Sequence, residues 1–366
     1  MRKSYFLMAA AATMFAACSQ SDVLNEVQVQ DEAQAIGFST YAGKVTRAEN
    51  STAEEVTKLE LHHGSFKVWG YKDTYTGFVF DNVKVTADGA GNWTYNPKKY
   101  WDKAATSYQF YAAAPADYAW ILKPNETSQA DDSFELENFS LLGRSLDEVT
   151  LQNTFASVDD QDLMIASPCE MDRSKYATSL PASKVNLKFN HILSRLNVTV
   201  NKGSNIKDEM LNVTSFKVCN LKNTGNFNEK ADLGENILTV GTNKRWTTTN
   251  NTYDIEGNGM NNVAQNNAGN QYIFQALVIP QPAGFEIVDR AAVSATAPYF
   301  IIEYTISGEP FKATYNLSNA FGDNDGMLFC EGYQNTLHLT IDAETIVFDA
   351  EVYEWATKET NSFPID

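Results

Sequence analysis

Short alternating segments dominate the pattern of apolar and polar residues along this chain. Side chains of one type recur at every second position, which is the period of a β-strand, because successive side chains of an extended backbone point to opposite faces. In residues 35–41, the side chains of Ile36, Phe38 and Thr40 share one side. We predict further strands at residues 59–61, 65–71, 78–80, 83–85, 93–95, 107–112, 163–166, 185–189, 193–200, 215–219, 272–279, 300–306, 311–317, 336–341 and 345–355.

Turn and loop residues separate these segments. Glycine and asparagine at residues 89–92 predict a turn, and the Asn/Gly-rich residues 223–228 and 258–270 predict loops. Residues 121–160 are polar and less regular, which predicts loops with a short helix near residues 145–148. No long segment shows the period of an α-helix, and we find no short tandem repeat. Many short strands with turns between them predict an all-β sandwich or barrel.

The length and the charge narrow the class of protein. At roughly 100–200 residues per domain, the 366 residues suffice for two domains, with one large β domain as the alternative. The formal net charge of −18 argues against binding to nucleic acid, which requires a basic surface. A strongly negative charge is typical of a soluble protein that stays dispersed at a crowded cell surface.

The first residues predict export and a lipid anchor. Arg2 and Lys3 precede an apolar run at residues 5–17, which is shorter than the about 20 residues that span a bilayer and typical of a signal peptide. The small residues before Cys18 are similar to a lipobox, in which the cysteine is acylated and becomes the mature N-terminus. The alternative is ordinary signal cleavage beside an incidental cysteine. No later segment is long and apolar enough to span a membrane.

The next segment predicts a tether and a proteolytic site. Residues 19–34 are polar and acidic with little periodicity, which favours a flexible tether. After the alternating segment that contains Ile36 and Phe38, Arg47 and Ala48 are followed by the polar residues 49–55. Proteases cut preferentially at accessible, unstructured places, and Arg47 is a basic residue in such a place.

The remaining cysteines give no metal or redox motif. Cys169, Cys219 and Cys330 are widely spaced and match no zinc pattern. Three thiols cannot all pair within one chain, and the simplest interpretation is that they are small buried apolar residues. A disulfide between Cys219 and Cys330 stays open as an alternative.

Catalytic and metal-binding patterns are weak throughout the sequence. His62 and His63 would point to opposite faces of a strand and therefore cannot bind one metal ion together. Ser194 lies three residues after His191, but no nucleophile-elbow motif surrounds this serine. A structural role is therefore favoured for these residues and for the isolated His338. The acidic turn at residues 323–326 has a glutamine at the twelfth loop position, where an EF-hand needs glutamate, and no phosphate-binding glycine loop occurs. We predict no enzyme activity, no metal and no cofactor.

An aromatic group in the first half offers a second hypothesis. Stacking on sugars is one use of such residues, but strand-like spacing favours packing in the core or across strands. The group consists of Trp93, Tyr95, Tyr100, Trp101, Tyr108 and Phe110.

An ordered set of segments resembles the fimbrillin-like pilins of type V pili, which occur in Gram-negative gut and oral anaerobes. The resemblance extends over nearly all of the mature chain, and its specificity comes from the order of the segments together with the lipobox. The segments are FKVWGY at 66–71, WTYNPKKYW at 93–101, YQFYAAAP at 108–115, DLMIASP at 162–168, VNLKFNHILSRLNVTV at 185–200, LVIPQP at 277–282 and EGYQNTLHLTI at 331–341, with Trp355 in the last strand.

The resemblance implies two tandem transthyretin-like β-sandwich domains in an all-β chain. The implied division is a lipoprotein signal peptide at 1–17, a tether and removable strand at 18–47, and sandwiches at 48–182 and 183–366. It also implies export to the outer membrane and cell surface, cleavage between Arg47 and Ala48 by a trypsin-like protease, and replacement of the removed strand by a strand of a neighbouring pilin subunit. A host or bacterial surface receptor is a further expected partner.

The C-terminal strand is the expected donor for that exchange. Ile346, Phe348, Ala350 and Val352 alternate with more polar residues, as a strand that fills a groove requires. The alternative is that these residues form the ordinary last strand of the second domain. The two interpretations have equal weight, because a tip subunit need not donate a strand.

These observations predict a structural subunit, either stalk or tip, of an adhesive pilus. The alternative function is a surface-anchored glycan-binding lipoprotein that does not polymerise. In that case Arg47 would stay uncut, and an exposed aromatic platform should be present.

Overall fold

Strands make up almost all of the regular structure in the described part of the chain. The computed structural model describes residues 35–42, 64–73, 77–124, 132–141, 162–177, 184–230, 245–249, 251–265, 272–281, 297–317, 329, 331–343 and 345–354. Within these ranges the helical elements are α1 (Arg173–Tyr176) and a 3-10 turn at Ser204–Ile206. The strands are β1 (Phe38–Ala42), β2 (Ser65–Lys72), β3 (Phe78–Ala87), β4 (Trp93–Thr94), β5 (Ser107–Ala114), β6 (Ile121–Lys123), β7 (Ser133–Ser140), β8 (Met164–Asp172), β9 (Val185–His191), β10 (Ser194–Lys202), β11 (Leu211–Lys222), β12 (Thr224–Asn228), β13 (Trp246–Thr248), β14 (Thr252–Glu256), β15 (Tyr272–Val278), β16 (Tyr299–Ile306), β17 (Glu309–Asn316), β18 (Tyr333–Ile341) and β19 (Ile346–Glu354).

The all-β class predicted from alternation is confirmed, and local differences have physical causes. The two strands predicted at 78–80 and 83–85 form the single strand β3, in which Asn82 adopts a positive φ of 53°. The predicted loop at 223–228 is wrong, because these residues form β12 and pair with β7. The irregular region predicted at 121–160 contains β6 and β7. Pairing with distant strands stabilises these polar segments as strands.

The largest sheet has seven strands and encloses an aromatic core. Its order is β1-β9-β8-β5-β2-β3-β4, and β1 pairs with β9 in parallel. Every one of the seven strands contributes side chains to one buried cluster, which shows that the sheet curls around this core. The residues of the cluster include Phe38, Phe66, Phe80, Trp93, Phe110, Met164 and Phe189.

A second buried cluster lies on the opposite face of the same sheet. The four-stranded sheet β13-β12-β7-β6 supplies Leu122, Phe134, Phe227 and Trp246 to this cluster. The seven-stranded sheet supplies Trp69, Tyr111 and Ile165 from its outward positions, and Leu277 and Ile279 from later in the chain join them. Strands β2 and β5 therefore bury side chains on both faces, which explains their nearly continuous burial.

Two further four-stranded sheets enclose a third core. Their orders are β15-β10-β18-β19 and β14-β11-β16-β17. The inward side chains of β10, Leu196, Val198 and Val200, pack in this core with Phe216 of β11 and Phe300 of β16. The alternation predicted for residues 193–200 therefore corresponds to a strand with one face in a hydrophobic core.

The division into two tandem domains after residue 182 stays a prediction. Strand β9, which follows that point, pairs with β1 and β8 in the seven-stranded sheet. Strand β12 pairs with β7 across the same point in the sequence. These pairings place strands from both sides of residue 182 in common sheets.

Candidate functional site

The N-terminal strand β1 is the outermost strand at one end of the seven-stranded sheet. It pairs along its whole length with β9, from Phe38 opposite Val185 to Ala42 opposite Phe189. The alternation predicted from sequence is present, since Ile36, Phe38 and Thr40 expose only 1%, 2% and 1% of their surface. The strand therefore contributes one complete face to the aromatic core.

Phe38 is surrounded by four aromatic rings. Its ring centroid lies 6.1 Å from Phe66, 5.5 Å from Phe80, 5.7 Å from Tyr95 and 6.0 Å from Phe110, each in an edge-to-face arrangement. Edge-to-face contacts of this kind stabilise by about 0.5–1.5 kcal/mol beyond the burial of area. The ring cage fits an aromatic side chain at this position of the strand.

Residues 93–99 contact the side of β1 that does not pair with β9. These residues include β4, the strand at the opposite end of the seven-stranded sheet. The amide of Ile36 donates to the carbonyl of Lys99 at 2.8 Å, and the hydroxyl of Tyr95 donates to the carbonyl of Ile36 at 2.6 Å. The indole N–H of Trp93 donates to the hydroxyl of Thr40 at 3.0 Å. We call the space that β1 fills, between β9 on one side and residues 93–99 on the other, the β1 slot.

The side-chain donors in the wall of the slot, Tyr95 and Trp93, are buried and uncharged at neutral pH. Burial is the main cause that raises the pKa of Tyr95 to about 12, so its phenol keeps its proton at neutral pH and donates to the backbone of β1. The indole of Trp93 is a donor only, and it is buried. If β1 left the slot, the indole of Trp93 would lose its acceptor Thr40, and the hydroxyl of Tyr95 would keep only its longer bond to the carbonyl of Lys99 at 3.3 Å.

The structure describes some of the residues predicted for processing and strand exchange and leaves others outside the described ranges. Ile36 and Phe38 lie in the slot, as described above. Cys18, Arg47 and Ala48 lie outside the described residues, and their roles stay predictions. The alternation of residues 35–41 indicates the apolar face of β1 but not its donors Trp93 and Tyr95, because alternation does not reveal which distant strand a face meets.

The C-terminal strand β19 pairs with β18 of the same chain. The register runs antiparallel from Tyr333 opposite Glu354 to Ile341 opposite Ile346, and β19 is the outermost described strand of its sheet. Ile346 is buried and Val347 is 57% exposed. The backbone of Phe348, Ala350 and Val352 lies in this strand, and the donor role of these residues stays a prediction.

The aromatic group considered for sugar binding is mostly core. Tyr100 is 44% exposed, whereas the other members of the group are buried. Trp101 stacks on Tyr176 with centroids 4.6 Å apart, and Tyr108 stacks on Phe110 at 5.9 Å. The interpretation as packing residues is therefore the one that the burial supports.

The histidines and Ser194 make structural contacts where they are described. His191 pairs with the buried Asp162 at 2.8 Å, and Thr199 contacts His338 at 2.6 Å. Ser194 donates to the carbonyl of Tyr333 at 3.0 Å. His62, His63 and residues 323–326 lie outside the described residues.

Neither a metal cluster nor a membrane helix occurs in the part of the chain that the structure describes. No three His, Cys, Asp or Glu side chains there converge on a point. No helix in the same residues is long and apolar enough to cross a bilayer. Cys219 is buried and Cys169 half-buried, and burial raises the pKa of both thiols, while Cys330 lies outside the described residues.

Comparison of the sequence with models of protein families shows the family of this chain. A family model described as fimbrillin-like matches residues 46–355, which is most of the 366 residues. The chain belongs to the fimbrillin-like family. Membership of this family supports a role as a non-enzymatic pilus subunit that associates with other pilin subunits at the cell surface.

Solved structures of similar chains carry fimbrial and adhesion names. A fimbrial protein from Bacteroides vulgatus is 16% identical with a TM-score of 0.47, covering 88% of this fimbrillin-like chain and 99% of its own. A putative cell adhesion protein from Bacteroides uniformis is 14% identical with a TM-score of 0.45, covering 88% and 98%. The tip fimbrial protein Mfa3 from Porphyromonas gingivalis, with a C-terminal truncation, is 12% identical with a TM-score of 0.41, covering 80% and 94%. The search of curated proteins gave no match.

Proposed function

We propose that this fimbrillin-like chain is a structural subunit, in the stalk or at the tip, of an adhesive type V pilus. In this proposal the chain is exported as a lipoprotein through Cys18 and is cut between Arg47 and Ala48 by a trypsin-like protease. Subunits then polymerise by exchange of the strand that fills the β1 slot. Two transthyretin-like sandwiches form the subunit, and a surface receptor is its further partner.

The observation that carries this proposal is the position of β1. The strand fills an edge place in the sheet and the centre of an aromatic core, yet Arg47 follows its last residue, Ala42, by only five positions. A cut at Arg47 would leave β1 held by its noncovalent contacts alone. Its loss would expose the β9 edge, the ring cage and the donors Trp93 and Tyr95.

An exposed edge of this kind is a template for another chain. Unpaired strand edges recruit extended segments, and the added strand gains main-chain hydrogen bonds along its length. Each aliphatic side chain that enters the slot stabilises the assembly by about 1.5–3 kcal/mol. Under this proposal the donor is the C-terminal strand of a neighbouring subunit, with Ile346, Phe348, Ala350 and Val352 as its inward residues.

Limited proteolysis tests the proposal directly. The chain from residue 19, without the lipidated Cys18, is treated under native conditions with an arginine-specific protease, which leaves Lys44 and Lys58 uncut, and is followed by denaturing gels without boiling. Cleavage at Arg47 followed by a ladder of SDS-resistant multimers is expected. The matched control is the Arg47→Ala variant, which should stay monomeric under the same treatment. A wild-type chain that is cut at Arg47 and stays monomeric contradicts polymerisation.

A further inference from the structure

Most polar contacts of β1 with the walls of the slot use its backbone. The amide of Ile36 donates to Lys99, its carbonyl accepts from Tyr95, and the carbonyl of Gly37 accepts from the amide of Val185 at 2.8 Å. Almost any residue in an extended strand can supply these groups. They hold a strand in the slot without selecting its sequence.

The bond from Trp93 to Thr40 is different, because its acceptor is a side-chain hydroxyl. The 3.0 Å bond is buried at both ends, with Trp93 8% and Thr40 1% exposed. An incoming strand with an aliphatic residue at the position of Thr40 would leave the indole N–H without this acceptor in a site closed to water. A buried donor without its partner weakens binding by about tenfold.

We propose that Trp93 makes the β1 slot selective for a strand that carries serine or threonine at its third inward position. The selected strand runs in the direction of β1, parallel to β9, and has an aliphatic residue, an aromatic residue and then the hydroxyl residue at alternate positions. This inference rests on the proposed function, since the slot accepts a foreign strand only after β1 leaves.

The other two inward positions follow from the same geometry. The ring cage around Phe38 selects an aromatic side chain at the second inward position. The outward position between them is tolerant, because a Cβ built on Gly37 would lie 3.4 Å from Cγ of Lys184, an ordinary contact. A strand with alanine in place of Gly37 is therefore accepted.

The C-terminal strand of this chain matches two of the three inward positions. Ile346 and Phe348 have the same types and the same spacing as Ile36 and Phe38, but Ala350 stands where Thr40 supplies the hydroxyl. The slot should therefore prefer a strand with serine or threonine at that position over the C-terminal strand of a second copy of this chain. A second copy of this chain still fills the slot, about tenfold more weakly than a different subunit that carries the complete pattern.

Peptide displacement measures this selectivity. The mature chain is cut at Arg47, and synthetic peptides of residues 35–42 compete with the cleaved N-terminal segment for the slot, followed by native mass spectrometry. The peptide with Thr40→Val, which keeps the shape and removes the hydroxyl, should bind about tenfold more weakly than the unchanged peptide. Thr40→Ser should bind like the unchanged peptide. The matched control is Ser39→Ala, which removes an outward hydroxyl whose contacts with Val185 and Asn186 of β9 are long, at 3.5 and 3.4 Å.

The donor residue is tested by the same competition in a Trp93→Phe chain. Without the indole N–H, the affinity ratio between the unchanged peptide and the Thr40→Val peptide should fall from about ten to about one. Because both peptides compete for the same protein, a general loss of stability in the variant cancels from the ratio. A ratio that is unchanged by Trp93→Phe would overturn the role of Trp93.

The C-terminal strand provides the third comparison. A peptide of residues 345–354 with Ala350→Thr should bind about tenfold more tightly than the natural peptide. Equal binding of hydroxyl and aliphatic peptides would overturn the selectivity and leave the proposed polymerisation standing. If no peptide displaces the cleaved segment, strand exchange itself fails, and the selectivity fails with it.

Discussion

The hydroxyl of Tyr95 donates a 2.6 Å hydrogen bond to the backbone carbonyl of Ile36, 59 residues earlier in the chain. Tyr95 follows β4 and Ile36 precedes β1, and these two strands are the opposite ends of the seven-stranded sheet. The bond therefore joins the two edges of a curled sheet. It makes β1 the strand that closes the core, and the stability of this closure is open to measurement.

Truncation of the ring in the cage should be strongly destabilising. The Phe38→Ala variant should lose about 3–5 kcal/mol of unfolding free energy, because the substitution removes a fully buried ring and leaves a cavity. Denaturant unfolding of the uncut chain measures the loss. Ser39→Ala, on the outward side of the same strand, should change the stability little, and equal losses in the two variants would show that the cage does not hold β1.

The raised pKa of Tyr95 predicts a loss of stability in alkali. Burial raises the pKa of this phenol from 10.0 to about 12 in the folded chain. In the unfolded chain the pKa stays near 10. The stability that the protonated Tyr95 contributes to the unfolding free energy is therefore fully present below pH 10 and declines by about 1–2 kcal/mol as the pH rises from 10 towards 12. Unfolding free energies between pH 9 and about pH 12 should fall less steeply in Tyr95→Phe than in the natural chain. Parallel curves would contradict the prediction.

A methyl group at Gly70 should disturb the same cage. A Cβ built there would lie 2.8 Å from Cδ1 of Phe110, whose ring contacts Phe38. Gly70→Ala should therefore lower the unfolding free energy by about 1–3 kcal/mol through overpacking. Gly37→Ala is the matched control, since its Cβ meets only an ordinary contact with Lys184. A well-tolerated Gly70→Ala would show that the ring of Phe110 can move.

The ion pair between Arg245 and Glu331 should stabilise the chain more than an exposed pair does. Its atoms lie 3.0 Å apart, with side chains only 11% and 8% exposed. Glu331→Gln should lower the unfolding free energy by about 1–3 kcal/mol, because the buried Arg245 then loses its nearer carboxylate and keeps the more distant one of Glu229, at 3.9 Å. The exposed pair of Lys312 and Glu303 is the control, and Lys312→Met should have little effect. Thermal unfolding of both variants decides the comparison.

Local pattern predicted most strands well. Alternation located β1, β2, β5, β9 and β10 to within a few residues, because each has one face in a hydrophobic core or is buried on both. The polar segments that became β7 and β12 carried no comparable signal. They are strands because they pair with each other, although more than 80 residues separate Phe139 from Gly225.

The candidate site was only half visible in the sequence. The inward residues Ile36 and Phe38 and the basic Arg47 follow from composition and spacing within a dozen or so residues. The donors Trp93 and Tyr95 do not, because aromatic residues at strand spacing look the same whether they pack, bind a ligand or hold another strand. Their partners became visible only when the two edges of the sheet met.

The sequence by itself determined an all-β chain of the fimbrillin-like family, with an alternating N-terminal strand ahead of Arg47. Such features depend on neighbouring residues and on the period of the strand. Only the tertiary structure decided that β1 closes the sheet between β9 and Tyr95, and that Thr40 meets Trp93. The reason is physical: twist and curvature bring distant edges together, and no local pattern encodes which hydrogen-bond donors they present.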